Sequence, residues 1–104
     1  MELKGKRIIV TGSARGMGEA TLRSYVQAGA HVIGMDVSDQ TGAALAEKAN
    51  KAGPGRASFL HVDIADIDSV QAAFSKAVEE LGGLDALAHP AAIQRSSNAG
   101  EVTV

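Results

Sequence analysis

Cysteine and tryptophan are both missing from the chain. Without thiols there are no disulfides and no thiolate metal sites. Aromatic residues make up 3% of the sequence, one Tyr and two Phe, so a core must be assembled from Ala, Val, Ile and Leu. No apolar run approaches the ~20 residues needed to cross a bilayer. The opening "MELKGKRIIV" lacks the apolar stretch of a secretory leader, so a soluble cytoplasmic protein is expected. Charge of one sign is scarce too: ten basic and twelve acidic residues leave a net charge of −2. The basic residues do not gather into the stripe that a nucleic-acid binder needs.

The chain does contain 45% hydrophobic residues in 104 positions, enough for one small packed domain spanning 1–104. "RIIVT" (7–11) is apolar without alternation, as in a strand buried on both faces. A helix is predicted from Gly16 to Ala28, with Met17, Ala20, Thr21, Ser24, Tyr25 and Ala28 on its inner face and Gly29 ending it. "HVIGM" (31–35) is a second strand. Ser38 is placed to cap a helix reaching Lys51. "GPG" (53–55) breaks the chain, "ASFLHV" (57–62) is a third strand, and Asp66 caps a third helix. The apolar residues of that helix, Val70, Ala73, Phe74, Ala77, Val78 and Leu81, recur at helical spacing. "LDALAH" (84–89) is a fourth strand, and from Pro90 the sequence reads as loop. Strands alternating with helices imply an α/β fold with a parallel sheet.

The stretch "TGSARGMG" (11–18) joins the first strand to the first helix and carries three glycines. A helix N-terminus offers unpaired N–H groups and partial positive charge. A pyrophosphate can rest there if no side chain intervenes. Gly12 permits a tight turn out of the strand, while Gly16 and Gly18 permit close approach of phosphate and close helix–strand packing. The alternative is a plain turn that uses glycine for convenience.

Asp36 ends the second strand, eighteen residues past Gly18. That is near the ~20-residue offset at which an acid binds the ribose hydroxyls of a dinucleotide. Its carboxylate would repel a 2′-phosphate, and Val37 after it is not basic, so NAD is favoured over NADP. Arg15, a cation in the glycine loop, pulls the other way. Asp63, followed by Ile64, could accept from an adenine amino group or could belong only to the turn before the third helix.

Taken together, "TGSARGMG", Asp36, Asp63-Ile64 and "LDALAHPAAI" resemble the short-chain dehydrogenase/reductase family, over the whole length of the chain. The resemblance implies a Rossmann-type doubly wound sheet of four strands, ordered 3-2-1-4, with three helices. It implies that Gly12, Ser13, Arg15, Gly16, Met17 and Gly18 form the cofactor loop. Asp36 and Val37 would then meet the ribose, and Asp63 and Ile64 the adenine. His89-Pro90-Ala91-Ala92 stands where the family usually has Asn-Asn-Ala-Gly, and of these only Ala91 matches.

The family's activity is hydride transfer between a nicotinamide and a carbonyl or alcohol substrate. It uses a Tyr with a Lys four residues on as acid/base. Tyr25 is the one tyrosine, and Gly29 stands four places later, so no catalytic residue is assigned. The chain corresponds to the cofactor-binding front of the family fold and is expected to be inactive alone. Two other readings stay open: a non-catalytic NAD-binding module, and a fragment that binds nothing. The first and third helices are expected on one face of the sheet and the second on the other. Strand four is left as an apolar edge open to association, so a homo-oligomer is expected. No metal is expected: His31, His61 and His89 show no ligand spacing.

Overall fold

The structure, a computed structural model, describes residues 3–14, 16–63 and 65–89. Seven elements follow one another as β1 (Arg7–Thr11), α1 (Gly16–Gln27), β2 (His31–Asp36), α2 (Asp39–Ala52), β3 (Arg56–His61), α3 (Ile67–Leu81) and β4 (Ala86–Ala88). The four strands form one sheet in the order β3-β2-β1-β4, and every pairing is parallel. Fold class and strand order are those expected. β4 is three residues long, shorter than the predicted span 84–89, and β3 starts one residue earlier than predicted.

The two faces of the sheet are covered differently from expectation. Leu22 and Val26 of α1 and Ala49 of α2 pack on Ile8, Val10 and Val32. Ala73, Ala77 and Leu81 of α3 pack on Ile9, Ile33 and Met35. So, among the described residues, α1 and α2 share one face and α3 covers the other. Connection handedness explains this. The steps β1 to β2 and β2 to β3 run in one direction across the sheet, and right-handed crossovers put both helices on one side. From β3 the chain returns past β1 to β4, reversing direction, so its helix falls on the opposite side.

The predicted inner face of α1 is also out of phase. The buried residues are Gly18, Leu22 and Val26, while Met17 is 64% exposed. Spacings of three and four fit several helical stripes, and small residues such as Ala20 and Ser24 do not require burial. Leu22 and Val26, the large apolar residues, set the face. In α3 every apolar position lies where expected, and the Asp66 carboxylate accepts from the N–H groups of Asp68 and Ser69 at 3.0 and 3.3 Å. At α2, Ser38 stands at the N-cap but makes no side-chain cap bond.

Opposite the carboxyl ends of the strands, Arg7 and Asp85 tie β1 to the turn before β4. The Arg7 guanidinium donates to both Asp85 oxygens, at 3.0 and 3.2 Å, and to the Gly82 carbonyl at 3.0 Å. The backbone N–H of Arg7 donates to Asp85 Oδ2 at 2.8 Å. These bonds hold the Asp85 carboxyl down at about 2 and push the guanidinium up.

Candidate functional site

β1 is the strand at which the winding reverses, since chain order leads away from it on both sides. Open α/β sheets bind ligands in the crevice at the carboxyl ends of the strands beside such a point. The glycine loop leaves β1 there. Gly12 and Gly16 have φ of +66° and +58°, a left-handed backbone that glycine adopts without strain. A Cβ placed on either would meet nothing within 4 Å among the described residues, so both leave backbone open to a ligand's approach. Gly18 does the opposite work: a Cβ there would lie 1.7 Å from the Gly12 carbonyl oxygen. Its bare Cα lets the first turn of α1 sit on the end of β1. The three glycines thus divide into two that expose backbone and one that packs it.

Asp36 organises the loop. One carboxylate oxygen accepts from the Ala14 N–H at 3.0 Å, and the other from the Val37 and Ser38 N–H groups at 2.6 and 3.1 Å. A carboxylate has about four acceptor sites, and donors among the described residues take three of them. A cleft of about 200 Å³ is lined by Gly12, Met35, Asp36, Val37, Val62 and Asp63. Four residues singled out in the sequence, Gly12, Asp36, Val37 and Asp63, therefore meet around one concavity. The open backbone at Gly12 and Gly16 and the Asp36 carboxylate suit an adenosine diphosphate moiety.

Other predicted residues are placed differently. The Ser13 side chain is buried, and its Oγ has no hydrogen-bond partner among the described residues. It points toward Gly34, where an added Cβ would lie 2.4 Å from that oxygen, so it faces the core rather than the cleft. Met17 is exposed at the start of α1. Asp63 lines the cleft and also serves the turn before α3, accepting from the Ala65 N–H at 3.0 Å. Arg15, Ile64 and Ala91 lie outside the described residues.

The sequence reading missed two polar contacts. Thr11, the last residue of β1, hydrogen-bonds through its hydroxyl to His89 Nδ1. His61, the last residue of β3, places Nδ1 2.5 Å from Asp39 Oδ1. Among the described residues no group of three His, Cys, Asp or Glu side chains is arranged to hold a metal. None of their helices is long and apolar enough to cross a membrane.

A parallel doubly wound sheet with a glycine turn at its reversal point defines a Rossmann-type protein. Comparison with known proteins agrees and is more specific. A family model described as short chain dehydrogenase matches residues 6–104, and the chain belongs to that family. It is 37% identical over 95 residues to 2,5-dichloro-2,5-cyclohexadiene-1,4-diol dehydrogenase of Sphingobium indicum, covering 91% of this chain and 36% of that protein. It is 41% identical over 93 residues to trans-4-hydroxycyclohexanecarboxylate dehydrogenase of Sinomonas cyclohexanicum, covering 85% and 36%. A dehydrogenase/reductase structure from Sinorhizobium meliloti 1021 superposes with a TM-score of 0.82 at 36% identity, covering 99% of this chain and 41% of that one. The chain thus spans about a third of the length of these curated relatives.

Proposed function

We propose that the chain is the NAD-binding portion of a short-chain oxidoreductase that moves a hydride between nicotinamide and a carbonyl or alcohol substrate. The observation that carries this reading is the loop geometry: two open, left-handed glycines beside the Asp36 carboxylate, around one cleft. The N–H groups in the first turn of α1 would hold the pyrophosphate, where the helix dipole favours an anion. Asp36 would accept from a ribose hydroxyl, and Val37 and Asp63 would wall the adenosine side. The acid at the end of β2, with no cation directly after it, supports NAD over NADP. When bound, the nicotinamide supplies a hydride acceptor or donor; this chain's described residues bind and orient the other half of the molecule. Hydride transfer and its proton transfer belong to the whole enzyme, whose substrate is a small carbonyl or alcohol compound.

The test uses the adenosine half by itself. ADP-ribose, which lacks the nicotinamide, should bind the chain and compete with NAD, because the grouped residues serve that half. Shifts in the NMR signals of residues 12–18 and 36–37 would locate it. If neither compound perturbs those signals, the reading is wrong.

A further inference from the structure

We propose that the groove between the second halves of α1 and α2 binds a small monocarboxylate with a compact apolar body, an aromatic or alicyclic acid of one ring. The site is separate from the ligand crevice and does not depend on the cofactor reading. Arg23 and Gln27 line it from α1, and Lys48, Ala49 and Ala52 from α2. Arg23 and Gln27 are four residues apart, as are Lys48 and Ala52, so each pair shares one face of its helix. Crossover helices run back toward the amino ends of the strands, so the groove sits near those ends, while the crevice lies at the carboxyl ends.

Size sets the body of the occupant. The groove measures about 170 Å³, and an apolar cavity of roughly 150 Å³ holds one benzene ring. It falls below the roughly 300–1,000 Å³ of a site for a drug-sized ligand. The space follows from the sequence: Ala49 and Ala52 present only methyl groups where longer side chains would close the gap between the helices. Ala49, at 4% exposure, forms an apolar floor.

Charge sets the polar end. Two cations, Arg23 and Lys48, line the groove and no acid does, on a chain whose net charge is −2. Among the described residues Lys48 has no ion pair. Arg23 donates from Nη1 to Glu19 at 3.3 Å, which leaves most of the five donors of a guanidinium for a ligand. That pair is exposed, the Arg23 side chain by 52%, and exposed pairs hold weakly, so Arg23 can turn to a second anion. A carboxylate in the groove accepts from both cations while its ring covers the two alanines.

Benzoate is the probe, titrated into the full chain and followed by amide NMR signals. Signals of residues 23–27 and 48–52 should shift and saturate in the millimolar range that suits so small a ligand, while those of 12–18 stay in place. Benzamide keeps the ring without the charge, and acetate the charge without the ring; each should bind at least about threefold more weakly. Lys48→Gln and Arg23→Gln should each weaken benzoate about two- to fivefold, and Glu19→Gln, which releases Arg23, should tighten it by up to about twofold. Ala52→Leu should fill the groove and remove binding with the thermal midpoint retained; if that variant does not fold, the charge variants decide alone. No saturable shift up to about 10 mM benzoate, equal binding of benzamide or of acetate, or shifts centred on 12–18 would each overturn the proposal. So would groove signals that move with protein concentration rather than with benzoate, since a second copy of the chain then fills the groove.

Discussion

The Asp36 carboxylate at the end of β2 accepts a 3.0 Å hydrogen bond from the backbone N–H of Ala14, inside the glycine loop. The acid suited to a ribose is therefore also a strut of the loop suited to the pyrophosphate. Removing it changes two things at once, and loss of affinity alone cannot tell them apart. The ratio of cofactor affinities can, because a disordered loop weakens NAD and NADP alike while a lost ribose contact weakens NAD alone. Asp36→Ala should lower NAD affinity and bring the two affinities together. It should also destabilise the fold by about 1–3 kcal/mol, since it leaves buried N–H groups without an acceptor. Calorimetry and urea unfolding measure both.

Gly18 and Gly16 should respond differently to the same added methyl. Gly18→Ala drives a Cβ into the Gly12 carbonyl at 1.7 Å, a backbone clash that separates α1 from β1. It should cost at least about 1–3 kcal/mol, the usual range for overpacking. Gly16→Ala meets open space and pays only for a left-handed backbone, about 1–2 kcal/mol. It should stay folded and lose affinity, because its methyl occupies the approach to the loop. Circular dichroism with NAD titration separates the two outcomes.

Ser13→Ala should be tolerated or stabilising by up to about 1 kcal/mol, because a buried hydroxyl without a partner pays desolvation and gains no bond. Thermal unfolding checks it. A clear loss of stability would mean that the Ser13 oxygen is hydrogen-bonded after all.

Acid should loosen the base of the sheet through Asp85. Its carboxyl titrates at about 2, held down by the Arg7 hydrogen bonds, below the ordinary carboxylate range near 4. Between those values the unfolded chain binds the proton and the folded chain does not. The stabilisation is therefore complete above about pH 4 and is lost as pH falls toward 2. Asp85→Asn should flatten that part of the stability–pH curve and leave the neutral region's slope alone. His31 adds a milder slope at higher pH: burial, with Arg56 nearby, pushes its imidazole down. Acidification below about 6.5 therefore favours the unfolded chain.

The strand–helix alternation was legible because buried parallel strands read as apolar runs such as "RIIVT", whereas the strand order was implied by the resemblance of the glycine turn and its companion motifs to the short-chain dehydrogenase/reductase family. The third helix was legible residue by residue because its apolar positions recur strictly at helical spacing, with Val70, Phe74, Val78 and Leu81 marking the stripe. The first was not: Ala, Ser and Gly satisfy several stripes, and only packing against Ile8 and Val10 selects Leu22 and Val26. Sheet coverage follows from chain direction, which strand order already contains. At the site, Gly12, Asp36, Val37 and Asp63 could be picked out by type and spacing. The bonds from Asp36 to Ala14 and from Thr11 to His89 could not, because they join residues 22 and 78 positions apart. The inward turn of Ser13 depends on Gly34, in the next strand.

If the loop and Asp36 together hold the adenosine diphosphate half of NAD, the wild-type chain binds that cofactor with a preference over NADP. Calorimetric titration of the wild-type chain with NAD and with NADP tests it most directly. Saturable one-to-one binding of NAD and weaker binding of NADP are expected. Failure of NAD to bind, or equal affinity for the two cofactors, would contradict it.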